Sequence, residues 1–445
     1  MSEEKFEQEE TKETEENLQV IDIDNMDMAV EEVKKPRRNK EFGKGVFAGV
    51  VLCLLIVSLA GLMIFSTLRK NGYTISELKV DKELTAGILS EQVENKISNI
   101  LSILSTYYYD DIDTDIVAEG MFKGMVDSLG DKYTNYYTEE EYQEFIMSTA
   151  GVYYGIGALL SQDKTTLVIT IDKVYKNSPA EEAGLMAGDI ILSANGVSSE
   201  GVEVSNFVNN IRGEEGTTVD IVVKRGEEEL TFTCTRRKVD IPTIEYTMFD
   251  NKIGYIQITQ FDEVTGPQFS DALKDLKKQG MKALIVDLRG NPGGLLTTVT
   301  DILDEILPKG MLVYTENKYG KREEYTSDSN ELGLPLCVLI NGTSASASEI
   351  FAGAVKDYEY GTLIGTNTYG KGIVQVIVPM KDGTAIKVTT SRYYTPNGNY
   401  IHGVGIAPDI ELEYEFLGGE NDLYDYKYDN QINKAIEVLN SKLNN

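Results

Sequence analysis

The sequence predicts a multidomain protein of α/β and mixed class, and three observations carry that prediction. Two continuous apolar runs, "KALIVDL" (Lys282–Leu288) and "PLCVLIN" (Pro335–Asn341), are each followed by a helical pattern, as strands covered on both faces of a sheet should be. Residues 150–238 read instead as short strands separated by glycine turns. Ahead of both lies Gly45–Leu68, a run of 24 residues without a charge. The length of 445 residues leaves room for two or three domains with sizeable cores.

Composition excludes several function classes. A formal net charge of −30 argues against a nucleic-acid partner, because phosphate binding needs clustered Lys and Arg. Three cysteines, Cys53, Cys234 and Cys337, are too few for a disulfide framework. Together with a single histidine they also make a zinc site improbable, so neither metal nor cofactor is expected.

Taken in order, residues 1–42 are rich in Glu and Asp early on and read as a disordered cytoplasmic tail. Residues 43–68 are long enough for a single transmembrane helix. Lys34, Lys35, Arg37, Arg38, Lys40 and Lys44 precede that run, whereas Arg69 and Lys70 follow it. The positive-inside rule then places the N-terminus in the cytoplasm and makes the chain a single-pass membrane protein with an extracytoplasmic remainder. Residues 69–148 form a helical N-terminal segment, with Val93, Ile97, Leu101 and Leu104 and then Val117, Met121, Met125 and Leu129 at helical spacing. Nothing catalytic is visible in it.

Residues 149–238 contain "YGIGALL", "SPAEEAGLMAGDIILSANG" and "RGEEGTTV", and the three together resemble a PDZ domain, a β-sandwich or barrel-like fold. A Gly-X-Gly turn ahead of an edge strand can present backbone N–H groups to a terminal carboxylate while the peptide adds as a strand. Tyr154, Gly155, Ile156 and Gly157 are the candidate peptide-binding loop. Residues 239–415 alternate strands and helices with loops at the strand C-terminal ends, where α/β sites form. Residues 416–445 end in a helix over about Gln431–Leu443.

The chemistry concentrates in "NGTSASASEI" (Asn341–Ile350), at the junction of a buried strand and a helix. Ser346 followed by Glu349 is an S-x-x-E capping box, which by itself accounts for a serine at a helix start. The same junction puts a hydroxyl where helix N–H groups and dipole favour a developing anion. A second donor can come from the "NPGG" turn, where glycine permits close backbone approach. His402 is the one imidazole and sits in a loop, so a packing or surface role suits it better than a triad. Lys371, between two glycines in "YGKGIVQVIV", is the other candidate base and works only when its pKa is lowered. Gln375 lies four residues on. Residue chemistry alone leaves cap and dyad both open.

Resemblance separates them. "VDLRGNPGG", "NGTSASASEIFAGAVKDY", "GTNTYGKGIVQ" and "RYYTPNGNYIHGVGIAPDI", in that order, resemble the carboxyl-terminal processing, or tail-specific, serine proteases. The likeness runs from "GMVDSLGDKYTNYYTEEEYQEF" through the PDZ-like segment to about Ile410. It implies an α/β serine protease core at 239–415 with Ser346 as nucleophile, Lys371 as base and Gln375 orienting the lysine. The implied oxyanion donors are the amides of Ala347 and Gly293. The implied substrates are proteins or peptides with free C-terminal tails, held by the PDZ domain, which can block or align the site. Dimerisation through the helical arms at 80–145 and 431–443 is a further role that the family offers. The competing reading is a catalytically silent, membrane-anchored PDZ scaffold.

Overall fold

The structure, a computed structural model, describes residues 82–419 and 422–444. The tail over 1–42 and the apolar run over 43–68 lie outside the described residues. Among the described residues no helix is long and apolar enough to cross a membrane. The longest of them, Glu91–Tyr107, has 17 residues. At 1.5 Å per residue that is about 25 Å, against a hydrocarbon core of about 30 Å, and it carries Glu91, Glu94 and Lys96. The predicted fold class is corrected accordingly: the described fold is mixed α/β and multidomain without a transmembrane helix. The single-pass placement with an extracytoplasmic catalytic part falls with it.

The chain divides into two compact units at Asp111/Ile112. The described part of the first unit is helical: α1 (Lys82–Ile88) and α2 (Glu91–Tyr107). Along α2, Ile100 and Ile103 stay exposed.

The second unit opens with α3 (Thr114–Asp127), whose first N–H groups are capped by Asp113, followed by β1 (Asn135–Tyr137) and α4 (Glu139–Ala150). Thr138 and Glu141 close a capping box at the start of α4. Gly151 ends that helix in the left-handed region at φ 69, and a Cβ there would stand 2.5 Å from Val264 Cγ2, so only glycine fits. The chain then enters β2 (Val152–Gly155), β3 (Ala158–Gln162), β4 (Ile169–Val174), the short α5 (Pro179–Ala183), β5 (Ile190–Ala194), β6 (Val197–Ser198), α6 (Val204–Ile211), β7 (Thr218–Arg225), β8 (Glu228–Thr235) and β9 (Arg237–Asp240). An antiparallel sheet in the order β3-β4-β5-β7-β8 closes around Ile169, Ile171, Phe207, Val219, Ile221 and Val223. β2 and β9 pair with each other, Val152 opposite Asp240 and Gly155 opposite Arg237. The segment therefore leaves and rejoins the remainder as one two-stranded ribbon.

The remainder comprises β10 (Ile244–Met248), β11 (Ile253–Ile258), α7 (Thr265–Lys278), β12 (Ala283–Asp287), α8 (Leu296–Asp304), β13 (Gly310–Asn317), β14 (Arg322–Ser327), β15 (Leu336–Ile340), α9 (Ala347–Asp357), β16 (Gly361–Gly365), β17 (Ile373–Pro379), β18 (Ala385–Tyr394), β19 (Ile410–Glu411) and α10 (Asn430–Asn444). Its central sheet runs β10-β11-β12-β15-β16-β19, and β11, β12, β15 and β16 are mutually parallel. Every residue of β12 and β15 is buried, which is why the two runs read as continuous hydrophobics. One face is covered by α7, α8 and α9 around Phe269, Leu303 and Phe351, and the other by α10 through Ile432, Ala435 and Leu439. Each fully buried Leu, Ile or Val contributes about 1.5–3 kcal/mol, so both faces hold the strand ends firmly. A second sheet, β1-β18-β13-β14 with β17 on β18, stands beside them. Cys234 and Cys337 are buried free thiols, pushed by burial up to about 11 and about 12.

Candidate active site

β12 and β15 lie side by side and end together, so the loops after them meet. Arg289 bolts the first loop down: its guanidinium pairs with the Asp287 carboxylate at 2.5 Å and with Asp429 at 3.0 Å. Asn291 then ties the two loops to each other. Its carbonyl accepts from Ala345 N–H at 3.1 Å and from Ser348 Oγ at 3.0 Å, while its side-chain amide donates to Ile258 O at 2.8 Å. Ser344 Oγ donates to Leu288 O at 2.8 Å and accepts from Asn341 N–H at 2.9 Å. Two of the three serines thus spend their hydroxyls on holding loop to loop.

The third, Ser346, stands apart by its backbone. It has φ 54 and ψ −113, a conformation that costs a non-glycine residue about 1–3 kcal/mol and persists where the surroundings enforce it. The strain comes from turning the chain sharply from β15 into α9. The Ser346 N–H donates to Glu349 Oε2 at 2.9 Å, and its carbonyl accepts from Tyr393 Oη at 3.2 Å. The capping-box contact and the elbow therefore coexist. Ala347 opens α9, and its N–H has no acceptor within the helix.

Gly293 packs against this elbow. A Cβ on it would stand 2.8 Å from Ser346 Cβ and 2.9 Å from Ala347 N, and its φ is 106. The two amides named from the sequence as oxyanion donors are thus brought together. The Gly293 N–H, however, donates to its neighbour Asn291 Oδ1 at 2.8 Å. Gly294, next along, lines the cavity in front of Ser346.

That cavity measures about 450 Å³. Ser346, Ala347, Lys371, Gln375 and Lys387 all line it, with apolar walls from Phe145, Leu295, Ile350 and Ile377. Lys371 sits just before β17 and is partly buried. Burial first, and the Lys387 ammonium second, hold Lys371 below the ordinary lysine value, as a base requires. Among the described residues the Lys371 Nζ donates no hydrogen bond; it lies 4.7 Å from the centre of the Tyr133 ring. Gln375 Nε2 donates to Thr389 Oγ1 at 3.3 Å rather than to the lysine. His402 accepts the Gly372 N–H through Nδ1 at 3.3 Å, a packing role beside the base loop.

Sequence reasoning missed the segment 131–134. Tyr133 faces Lys371, Lys132 Nζ donates to Tyr369 Oη at 2.8 Å, and Thr134 Oγ1 accepts from Thr389 N–H at 3.1 Å. The acidic Asp131 adds its field to the lysine from the same segment. Asp262, which lines the cavity, is raised by burial to about 6. Lys387 is the other addition: it lies 5.5 Å from the ring centres of Tyr137 and Phe145. Lys387→Met is expected to raise the Lys371 pKa by removing a like charge, and so to shift the acid limb of activity to higher pH. A pH–rate profile in which Lys387→Met leaves that limb in place would refute this.

The candidate peptide-binding loop lies at one end of a groove of about 330 Å³ between β3 and α6. Ile156 lines it and Tyr154 is partly exposed. Gly157, at φ 81, could not carry a Cβ, which would stand 2.3 Å from Ser178 Cβ. The structure adds two residues. Tyr153 is half-buried, and burial raises its hydroxyl to about 12. Arg212, at the end of α6, stacks 5.6 Å from the Tyr153 ring centre. A cation lining the groove suits a carboxylate.

Residues 252–412 match peptidase family S41, residues 170–225 a PDZ domain, and residues 55–141 the activating protease CtpB N-terminal domain. A "Probable CtpA-like serine protease" of Staphylococcus aureus (strain COL) is 37% identical over 324 residues, covering 72% of this chain. The chain spans 64% of that relative's length. A protein of the same description from Staphylococcus epidermidis is 33% identical over 402 residues, covering 89% of this chain and 78% of its own. The crystal structure of a Bacteroides fragilis protein described as an S41 protease has the same fold, with a TM-score of 0.50 at 18% identity, covering 75% of this chain and 93% of its own.

Proposed function

We propose that this chain, which belongs to peptidase family S41, is a serine endopeptidase that cuts proteins near their C-terminal tails through a Ser346–Lys371 dyad. The observation that carries the reading is the strained elbow at Ser346 opening onto the same cavity as a partly buried lysine with a lowered pKa. Ser346 Oγ attacks the scissile carbonyl as neutral Lys371 accepts its proton. The protonated lysine then gives that proton to the leaving amine, and water deacylates the enzyme with Lys371 again as base. Helix-opening Ala347 N–H and an amide of the Gly293–Gly294 pair stabilise the oxyanion. Gln375 orients the lysine once substrate fills the cavity.

The groove between β3 and α6 holds the substrate's terminal carboxylate, with Arg212 and the 154–157 loop at its end. Helical arms carrying exposed Ile100 and Ile103 supply a surface for dimerisation. The test uses one unstructured polypeptide with an apolar C-terminus, prepared free and amidated. Free-tail cleavage at least tenfold faster than amidated-tail cleavage, with products mapped by mass spectrometry, is the expected result. Equal rates would remove the tail from the mechanism. Binding of the free tail without cleavage by the wild type would favour the scaffold reading.

A further inference from the structure

The nucleophile and the base are carried by segments that are 25 positions apart in sequence and belong to different sheets. One side chain joins them. Glu349, the third residue of α9, is fully buried, and among the described residues the donors that reach it come from the two catalytic segments. Its Oε2 accepts from the Ser346 N–H at 2.9 Å and from the Lys371 N–H at 2.7 Å. Its Oε1 accepts from the Gly370 N–H at 2.6 Å and from Thr368 Oγ1 at 2.6 Å. Thr368 Oγ1 in turn accepts from Ile406 N–H at 2.7 Å, which fixes the far side of the base loop.

We infer that Glu349 is a positioning residue of the dyad: a buried carboxylate that clamps the backbone of Ser346 to the backbone of Lys371 and so sets the distance between nucleophile and base. This rests on the dyad reading above and deepens it. A helix cap needs only the first of the four bonds. The remaining three reach across to the base loop, some 19 to 22 residues away, and do nothing for α9 itself. Four donated bonds fill the acceptor sites of a carboxylate, so the group has no hydrogen to give and sits there as an anion. An amide cannot substitute. One of its two heads is a donor and would face two N–H or O–H donors, which pushes the segments apart. A shift of about 1 Å between reacting groups costs on the order of a hundredfold in rate.

The clamp also carries charge toward the base. Glu349, Asp131 and Tyr369 favour the protonated lysine, Lys387 on β18 opposes it, and the centre of the Tyr133 ring lies 4.7 Å from its Nζ. Removing the Glu349 charge therefore lowers the Lys371 pKa, whereas a role confined to packing leaves it unmoved.

The experiment compares full-length wild type with Glu349→Gln, Glu349→Asp, Thr368→Val and Ser346→Ala on one unstructured polypeptide with an apolar free C-terminus, recording kcat, KM, pH profile and melting temperature. For Glu349→Gln the expected result is a kcat about a hundredfold lower, KM within twofold, and an acid limb moved to lower pH. Glu349→Asp keeps the charge but shortens the reach, so it loses kcat with the acid limb at the wild-type position. Thr368→Val, which leaves Glu349 intact, lowers kcat with KM unchanged, and it carries the test together with Glu349→Asp if Glu349→Gln fails to fold. A Glu349→Gln kcat within threefold of wild type, or an acid limb that stays put, overturns the inference and leaves the dyad standing. Cleavage by Ser346→Ala overturns the dyad and the clamp with it.

Discussion

Ser346→Ala is expected to lower kcat by on the order of 10⁴-fold or more, with the melting temperature and tail affinity nearly unchanged. The polar contacts that hold the elbow, N–H to Glu349 and C=O from Tyr393 Oη, are made by the backbone, and alanine keeps both. Alanine also meets the positive φ with a penalty close to that of serine, so a change within about 0.5 kcal/mol is the expected cost in stability. The loss is therefore chemical. Ser344→Ala and Ser348→Ala, in contrast, break buried bonds to Leu288 and Asn291 and act through the loops. Steady-state rates beside thermal melts separate the two behaviours. A Ser346→Ala rate within tenfold of wild type would remove Ser346 from the chemistry.

Lys371→Met and Lys371→Arg are both expected to abolish turnover, by about 10²–10⁴-fold for loss of a general base. The arginine variant is the sharper of the two. It keeps a cation at the position, but a guanidinium does not deprotonate in a protein and cannot accept the serine proton. The sign of the pH dependence follows from the same fact. Below its pKa Lys371 is an ammonium ion and idle; above it the amine is free to act. Wild-type activity must then rise with pH through a pKa that burial and Lys387 hold below 10.5. The titration disappears from the residual rate of Lys371→Met. An arginine variant retaining a tenth of wild-type activity would refute a lysine base.

Much of the site could be read in the sequence because its signals are local. A continuous apolar run ending in Asn341, a serine cluster and an S-x-x-E start fix a strand-to-helix junction within ten residues, and the glycines of "NPGG" announce a close approach. The base loop was legible as a lysine between glycines. What escaped was set by contacts distant in sequence. Nothing in "GDKYTNYY" says that Tyr133 will face Lys371, because that meeting depends on β1 pairing with β18. Tyr153 and Arg212 escaped for the same reason: one ends up beneath the other only when β2 closes against the end of α6. Glu349 was read from its neighbours as a cap, and its three longer bonds belong to the tertiary fold. The transmembrane expectation came from hydropathy alone, and the described helices offer it no counterpart.

The β2–β9 ribbon has a kinetic consequence. A segment joined to its neighbour by two paired strands cannot diffuse away from it, so under the proposed function a tail held in the β3–α6 groove would no longer be a solution reactant. The stretch of substrate just upstream of that tail would then meet the Ser346 cavity as an intramolecular partner, at an effective concentration in the millimolar range for short tethers. The distance that the upstream stretch must span then acts as a ruler. Tails too short to bridge groove and cavity gain nothing from the tether, and tails much longer than the gap see their advantage fall away with length.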